Sequence, residues 1–336
     1  MHQIADKQDE GPNSDLPHAV QGRAAALSEE VCILCGSLLE MTIAGLSDTR
    51  FGVPGSYDIY QCSHCGLEET LPRPSASELK RLYETYYNFG GETGTRYTRW
   101  REHFFFSLLN RLWSFVDGDI SFYQKRGTGR LLDIGCNEGR GLRIYDRNGF
   151  QVEGLELNAT AAAVARGKGF DVRTCLLGEF RPTSTYDVAV LSNVLEHSLD
   201  PKQMLLDVHR ILASHGEVWI SCPNSQSWLR KLFGRSWINW HVPFHIFHFS
   251  AGALRELLSE AGYTRIQLRQ ITPSLWVAQS LIAYWFAKQG TKTRQLRGTF
   301  WTLFLMMLAR FLLFPALWLG NRLGSGDCLL VVATKS

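Results

Sequence analysis

The sequence lacks a strong excess of charge, an internal repeat and a long apolar run near its N-terminus. Lys plus Arg number 35 and Asp plus Glu 32, so no overall basic field favours wrapping around nucleic acid. Residues 1–28 are polar, without the apolar stretch of about 7–15 residues that a secretory signal needs. We therefore expect a flexible tail over residues 1–28 and a cytoplasmic protein.

The eight cysteines also lack the spacing of a secreted disulfide framework. Four of them form two CxxC pairs, each followed by glycine: Cys32, Cys35, Cys62 and Cys65. Two such knuckles are typical of one tetrahedral zinc ion, and four thiolates leave no open position for catalysis. We predict a small zinc ribbon over residues 29–76 with a structural Zn²⁺, and we expect His64 to lie outside the ligand set.

The rest of the chain is helical at first and then alternates between strands and helices. Apolar side chains recur at helical spacing from Leu79 to Tyr86 and again at Tyr97, Trp100 and Phe104, so residues 77–128 are interpreted as a helical linker or cap. Strands and helices alternate over residues 129–271, where DVRTCLL is one of the expected strands, and residues 324–336 form a last strand. This pattern predicts an α/β fold with a parallel sheet covered on both faces.

A glycine-rich turn follows the first strand of this core, in LLDIGCNEGRG. Gly135 suits a positive φ, Gly139 lets the next helix pack closely, and the turn amides can face a ligand. Glu156 ends the next strand, 21 residues after Gly135, where a carboxylate can accept hydrogen bonds from both ribose hydroxyls. The two features together predict a cofactor site.

These motifs resemble those of the class I S-adenosylmethionine-dependent methyltransferases. The resemblance rests on DIGCNEG at 133–139, GLELN around Glu156 and YDVAVLSNVLEHSLDP at 186–201. It implies S-adenosylmethionine as cofactor and a Rossmann-like sheet that is mostly parallel, with an antiparallel last strand. The implied cofactor-binding residues are Asp133, Gly135, Cys136, Asn137, Gly139, Glu156, Leu157 and Asn193. Asn137 stands where these methyltransferases commonly have a glycine. Its side chain slightly reduces the space within the loop.

Two other interpretations of this core compete with the methyltransferase. A dinucleotide-binding dehydrogenase has a similar turn but favours GxGxxG, and here the second glycine is replaced by Asn137. A degenerate core that no longer binds a cofactor is disfavoured by the presence of Asp133, Gly135, Gly139 and Glu156. The methyltransferase interpretation is preferred.

The ribbon followed by LPRPSASELKRLYETYY is similar to bacterial methyltransferases that act on sugars, cell-surface glycans or related metabolites. That resemblance implies a small-molecule, sugar or lipid-linked acceptor. An RNA or DNA methyltransferase that uses the ribbon for binding is the alternative, but residues 28–78 contain only Arg50 and Arg73 as basic side chains. Nucleic acid is therefore an unlikely partner.

Histidines near the expected carboxyl ends of the strands are the candidate catalytic residues. Methyl transfer needs the acceptor in line with the sulfonium methyl and usually a base, for which histidine is suited near neutral pH. We select His245, in the segment GRSWINWHVPFHIFHFS, and His197, in LEHSLDP, with packed or helix-capping histidines as the alternatives. A metal site made of His241, His245 and His248 is a weaker hypothesis, because no carboxylate accompanies these three residues.

An apolar insertion over residues 272–323 precedes the last strand. FWTLFLMMLARFLLFPALWLG is long enough for a membrane span, but both flanking strands belong to one sheet, so a single crossing is disfavoured. Arg310 and Pro315 fit an in-plane or re-entrant helix at the cytoplasmic face of the membrane, with cations near anionic head groups at Lys288, Lys292, Arg294, Arg297 and Arg322. The alternatives are helices packed on each other, a dimer interface, and a non-catalytic membrane adaptor.

Overall fold

The fold was obtained as a computed structural model. It describes residues 31–86, 103–104, 107–297 and 299–336, without the side chains of residues 297, 299 and 300. The expected tail over residues 1–28 and the helical pattern at Tyr97 and Trp100 lie outside these described residues.

Strands and helices alternate along most of the described chain. The strands are β1 (Leu39–Leu46), β2 (Tyr57–Cys62), β3 (Glu68–Leu71), β4 (Arg130–Ile134), β5 (Gln151–Leu155), β6 (Val172–Arg173), β7 (Tyr186–Ser192), β8 (Leu212–Pro223), β9 (Phe247–His248), β10 (Tyr263–Ile271) and β11 (Cys328–Lys335). The α-helices are α1 (Ala76–Thr85), α2 (Leu108–Asp117), α3 (Arg140–Arg147), α4 (Ala159–Gly167), α5 (Pro201–Ile211), α6 (Trp228–Phe233), α7 (Ala251–Glu260), α8 (Ser274–Phe286), α9 (Thr299–Leu312) and α10 (Phe314–Arg322).

A seven-stranded sheet in the order β10–β11–β8–β7–β4–β5–β6 forms the centre of the fold. The pairs from β8 through β6 are parallel, whereas β11 runs antiparallel to both of its neighbours. The prediction of a mostly parallel Rossmann-like sheet with an antiparallel last strand is confirmed. The strand expected in DVRTCLL is much shorter, because β6 lies at the sheet edge and only Val172 and Arg173 pair with β5.

Alternate strand residues face the two sides of this sheet, as the pleat requires. Leu132, Ala189 and Ile220 pack on one side with helices α5 and α7. Leu131, Val190 and Trp219 pack on the other side with α8. Helices therefore cover both faces, and the carboxyl ends of β4, β5 and β7 are left to form a site.

The N-terminal cysteine-bearing segment shares its own sheet with the core. That sheet has the order β1–β2–β3–β9, and β9 comes from the histidine-rich segment after β8. The buried hydroxyl of Thr70 donates to the carbonyl of His245 at 2.7 Å, and Thr70 N donates to Ile246 O at 2.8 Å. The first segment therefore supports the backbone of the candidate acceptor segment directly.

Helices α8, α9 and α10 form the insertion between β10 and β11. In the described residues no single helix meets the length and hydropathy of a membrane span; Trp301–Leu312 and Phe314–Arg322 do so only as a pair bent by 71°. Arg310 is buried, and its Nη1 lies 4.0 Å from Oδ1 of Asp117. Arg310 therefore connects the insertion to the end of α2 and does not face the surroundings of the protein.

Candidate functional site

The turn after β4 has a left-handed backbone at three positions. Gly135, Asn137 and Gly139 have φ values of 74°, 50° and 76°. Asparagine is one of the few residues besides glycine that adopt this region routinely, so Asn137 fits a position that glycine commonly fills. At Gly139 an added Cβ would lie 3.0 Å from the Cβ of Ala165 in α4. The close approach expected at Gly139 is therefore made with α4.

Glu156 connects this turn to the end of β5. Its Oε2 accepts a hydrogen bond from Asn137 N at 2.8 Å, and its Oε1 accepts one from Asn158 N at 2.8 Å. Each carboxylate oxygen has two lone pairs, so both can still accept a hydrogen bond from a ribose hydroxyl. Glu156 thus fixes the turn in addition to lining the site.

The amides of the turn donate hydrogen bonds within the protein. In chain order, the amides of residues 135–139 donate to Leu155 O, Leu155 O, Glu156 Oε2, Asn137 Oδ1 and Cys136 O. Dinucleotide-binding turns direct such amides at a pyrophosphate. All five amides have acceptors within the protein, and the part that this backbone plays in cofactor binding stays a prediction. The turn suits a cofactor without phosphate groups.

Asp133 lies buried at the carboxyl end of β4. Burial, together with the negative charge of Glu156, raises the pKa of Asp133 to about 7. Gly141 leaves room for this carboxylate, because a Cβ there would lie 2.6 Å from Oδ2 of Asp133. A cationic group bound beside Asp133 would favour its ionised form.

The other implied cofactor residues differ in exposure. Cys136 is buried and packs with Leu142 and Ala162, so only its backbone faces the turn. The side chain of Leu157 is exposed at the end of β5. Asn193 follows β7 with a φ of 53°, and its amide donates to Ser221 O at 2.9 Å. Leu157 and Asn193 thus flank the turn from neighbouring strands.

Three histidines meet beside the carboxyl end of β7, and we call His197, His241 and His245 the histidine cluster. One ring nitrogen from each lies within 4.8 Å of those of the other two. The ring centroids of His197 and His245 are 4.6 Å apart, and those of His241 and His245 are 4.8 Å apart. His241 and His245 are buried, whereas His197 is partly exposed. The structure therefore brings together both candidate catalytic residues.

Backbone carbonyls orient two rings of the histidine cluster. Nδ1 of His197 lies 2.9 Å from Phe244 O, and Nδ1 of His245 lies 2.8 Å from Asn239 O. A carbonyl oxygen only accepts, so each Nδ1 carries the proton. Burial lowers the pKa of His197 to about 4 and that of His245 well below its usual value. Both rings are therefore neutral at physiological pH.

Glu196 adds a buried carboxyl group next to these rings. Its Oε1 lies 4.0 Å from Nε2 of His245, and neither carboxyl oxygen forms a hydrogen bond within the described residues. Burial raises the pKa of Glu196 to about 8. The expectation that no carboxylate accompanies the histidines is therefore wrong, because the short helical turn Leu195–His197 brings Glu196 to them.

His248 does not belong to the histidine cluster. It lies in β9, and its Nε2 is 3.0 Å from the hydroxyl of Thr70 in β3. The trio considered from the sequence, with His248 as its third member, is thus incorrect: His197 takes that place. The reason is that β9 pairs with β3, which directs His248 toward the cysteine-bearing segment.

Two residues near the histidine cluster carried no recognisable signal in the sequence. The hydroxyl of Tyr83 in α1 lies 2.9 Å from Nδ1 of His197. Arg50 donates from Nη2 to Ile238 O at 3.1 Å, and its positive charge contributes to lowering the pKa of His241, after the larger effect of burial. Both come from segments distant in sequence, so only the tertiary structure places them here.

The four cysteines of the two CxxC pairs form a cluster. Their Sγ atoms all lie within 4.8 Å of one another, with 3.6 Å between Cys32 and Cys65 and 3.3 Å between Cys35 and Cys62. A tetrahedral zinc site with Zn–S bonds of about 2.3 Å has sulfur–sulfur distances of about 3.8 Å. The amides of His64 and Cys65 both donate to Sγ of Cys62 at 3.4 Å. The donor set fits one zinc ion.

Many large apolar side chains of the insertion are exposed. They include Tyr284, Trp285, Phe286, Trp301, Leu303, Phe304, Phe311, Leu312, Phe314, Trp318, Leu319 and Leu323. We call this set the apolar face. Beside it, a cavity of about 130 Å³ is lined by aliphatic side chains of α8, α9 and the residue that follows α9: Leu281, Leu305, Leu308, Ala309, Leu312 and Leu313.

Known proteins that are similar to this chain match it over the region of the seven-stranded sheet. A probable S-adenosylmethionine-dependent methyltransferase of Mycolicibacterium smegmatis is 34% identical over 136 residues, which is 40% of this chain and 51% of that protein. The ubiquinone biosynthesis O-methyltransferase of Erwinia tasmaniensis is 32% identical over 124 residues, which is 34% of this chain and 51% of that protein. The chain thus spans about half the length of the curated relatives that it matches.

Among solved structures, a SAM-dependent methyltransferase of Thermotoga maritima is similar with a TM-score of 0.44 and 16% identity, covering 72% of this chain and 97% of the other. A family model described as a methyltransferase domain matches residues 97–268, slightly more than half of the 336 residues. The matched segment contains the turn after β4, Glu156 and the histidine cluster. The chain therefore belongs to the methyltransferase domain family.

Proposed function

We propose that this protein transfers a methyl group from S-adenosylmethionine to a small-molecule acceptor. The observation that carries this proposal is the turn after β4, whose amides are engaged within the protein and whose edge is fixed by Glu156. Such a turn leaves a carboxylate for ribose hydroxyls and offers no free amides to a pyrophosphate. The name of the Erwinia relative, an O-methyltransferase of ubiquinone biosynthesis, supports a small-molecule acceptor.

In this proposal the cofactor lies across the carboxyl ends of β4, β5 and β7. Asp133 and the backbone of residues 135–137 hold its methionine part, and Glu156 accepts hydrogen bonds from its ribose. Leu157 and Asn193 line the remaining sides. A cationic amino group beside Asp133 offsets the burial that now disfavours the ionised carboxylate.

His197 and His245 are the proposed acceptor-side residues. Each ring is held by a hydrogen bond from its Nδ1 to a backbone carbonyl. A neutral imidazole in this state can contact an acceptor hydroxyl or amine and promote loss of its proton. His197 is the more accessible of the two, since His245 is 5% exposed.

The four-cysteine cluster is proposed to bind one structural Zn²⁺ through Cys32, Cys35, Cys62 and Cys65. Ligation would stabilise a segment whose strands are too short to form a core of their own. Because β3 pairs with β9, the ion would also stabilise the segment that carries His245. Zinc analysis of the purified protein by mass spectrometry is expected to give at least one equivalent; no zinc in a folded protein would contradict this assignment.

We further propose that the apolar face contacts the cytoplasmic surface of a membrane and that the acceptor is a sugar, a lipid-linked glycan or another amphipathic molecule. Exposed Trp and Phe side chains favour the interface between membrane and water. The exposed cations Lys288, Lys292 and Arg294 suit anionic lipid head groups. The aliphatic cavity between α8 and α9 fits part of a hydrocarbon chain. The exposed aromatic side chains, the cations and the cavity together support an amphipathic acceptor.

Vesicle sedimentation tests the membrane contact. The protein is expected to sediment with vesicles that contain anionic lipid, and Trp301→Ser together with Phe311→Ser is expected to abolish this. Leu108→Ser, an exposed apolar residue outside the apolar face, serves as the control. Equal sedimentation of all variants, or none of the wild type, would contradict the contact.

Calorimetric binding of S-adenosylhomocysteine tests the central proposal. The wild-type protein is expected to bind one equivalent, after which labelled S-adenosylmethionine and mass spectrometry of the products would identify the acceptor. Absence of binding by a folded protein would overturn the proposed methyl transfer.

A further inference from the structure

We propose that the histidine cluster, together with Glu196, binds a divalent transition-metal ion that is separate from the ion of the four cysteines. The cluster lies beside the proposed cofactor site, and its ligand atoms come from the turn after β7 and the segment after β8. The role we give the ion, contact with the acceptor oxygen, rests on the proposed function, whereas the binding site itself does not.

The orientation of the rings is that of metal-ligating histidines. Such histidines almost always donate their second ring N–H to a carbonyl or carboxylate, which fixes the tautomer and directs the other lone pair at the metal. Nδ1 of His197 and Nδ1 of His245 make this kind of contact, with Phe244 O and Asn239 O respectively. With His241, the three ring nitrogens lie within 4.8 Å of one another. Small side-chain rotations would bring them to the bond lengths of about 2.0–2.1 Å that zinc requires.

Glu196 is a buried carboxyl group beside the histidine cluster. It is 1% exposed, and neither of its carboxyl oxygens forms a hydrogen bond within the described part of the chain. A buried carboxyl group without hydrogen bonds is unfavourable, and a bound cation would give it a partner. An ion between Oε1 of Glu196 and Nε2 of His245, now 4.0 Å apart, would contact both atoms.

The charges around the histidine cluster also define the kind of ion. Arg50 places one positive charge nearby, and Glu196 would add a negative charge as a ligand of the ion. Imidazole ligands favour zinc, iron, nickel and copper over magnesium or calcium, which prefer oxygen ligands. Three imidazoles and one carboxylate therefore fit a zinc-like ion. An acceptor hydroxyl would be a fifth ligand of such an ion, which would lower the pKa of the hydroxyl and assist release of its proton to solvent.

Cobalt binding tests the proposal without use of an acceptor. The wild-type protein, dialysed until only one equivalent of zinc remains, is titrated with Co²⁺ and followed by visible absorption. We expect one equivalent of Co²⁺ to bind and to give ligand-field bands without the intense thiolate-to-cobalt charge transfer of a cysteine site. No binding, or a spectrum with thiolate charge transfer, would overturn the proposal.

Substitutions of single proposed ligands test where the ion binds. His197→Gln, His241→Gln and Glu196→Gln are each expected to weaken Co²⁺ binding at least about tenfold, since even the loss of an outer-shell partner costs that much. His209→Gln, a partly exposed histidine beside Gly262, is the matched control and should bind as the wild type does. Unchanged binding in all four variants would refute the site.

A second measurement does not depend on the folding of variants. In wild-type protein labelled with ¹⁵N-histidine, added Zn²⁺ should shift the Nε2 resonances of three histidines, and unchanged resonances would refute the site. Calorimetry with S-adenosylhomocysteine on the same samples keeps the two proposals apart: a protein that binds the nucleoside but no ion refutes the metal site alone. One that binds the ion but no nucleoside refutes the methyltransferase proposal alone.

Discussion

The cofactor side and the acceptor side of this sheet edge are built in opposite ways. Asp133, the glycine-rich turn and Glu156 lie within one stretch of chain, and the hydrogen bonds of the turn are mostly local. The histidine cluster is surrounded by Arg50, Tyr83 and Glu196, which come from three distant segments. The cofactor side therefore depends on one βαβ unit, whereas the acceptor side depends on the packing of separate segments against each other.

Loss of the four-cysteine site should produce the largest difference between the effects on the acceptor side and on the cofactor side. Cys62→Ser is expected to unfold the sheet of β1, β2 and β3, because zinc ligation in small modules contributes on the order of 10 kcal/mol of folding free energy. Methyl transfer should be lost, since β3 supports the segment of His245. Binding of S-adenosylhomocysteine, measured by calorimetry, should stay within about twofold, because distant sites are nearly independent.

Cys175→Ser is the matched control, since Cys175 is a partly buried cysteine outside the four-cysteine cluster. Loss of nucleoside binding in Cys62→Ser alone would show that the cofactor side also depends on the N-terminal segment.

The next largest effect is expected at the cofactor side. Glu156→Ala removes the carboxylate that accepts two backbone amides and the proposed ribose hydroxyls. Hydrogen bonds to a charged group contribute about 1.5–3 kcal/mol, so affinity for S-adenosylhomocysteine should fall about 100-fold. Glu179→Ala, an exposed glutamate, is the control. A similar loss in His197→Gln would break the comparison, because that residue belongs to the acceptor side.

The pH dependence of binding gives a smaller effect. The raised pKa of Asp133, about 7, means that the free protein holds this carboxyl neutral below that pH and ionised above it. If the carboxylate holds the cationic amino group, affinity for S-adenosylhomocysteine should rise about tenfold from about pH 6 to 8. Calorimetry across this range should show a flat profile for Asp133→Asn. A wild-type profile without a rise would remove Asp133 from the cofactor site.

The smallest effect is expected at Asn137. Its φ of 50° lies in the region that glycine adopts freely, so Asn137→Gly should preserve the turn. We expect nucleoside affinity to change by no more than about twofold and stability by less than about 1 kcal/mol, as thermal unfolding would show. Asn137→Val, a β-branched residue that avoids this region, is the contrasting variant. Equal behaviour of the two variants would show that the backbone of the turn does not matter for binding.

The features that the sequence predicts best are those that depend on residues close together in the chain. The turn after β4 and Glu156 follow from local strand–turn–helix chemistry, and the alternation of strands and helices predicted the parallel sheet. Three details were not accessible from the pattern: the engagement of the turn amides, the shortness of β6 and the burial of Arg310. Each depends on which neighbour a residue meets, which spacing along the chain does not specify.

By itself the sequence determined the α/β alternation, the spacing of the two CxxC pairs and the register between Gly135 and Glu156, because these depend on residues close together in the chain. The tertiary structure alone decided that β3 pairs with β9, that His197 and not His248 completes the histidine cluster, and that Glu196 lies against His245. These contacts join segments whose separation along the chain carries no periodic signal, and they form only when the core brings the segments together.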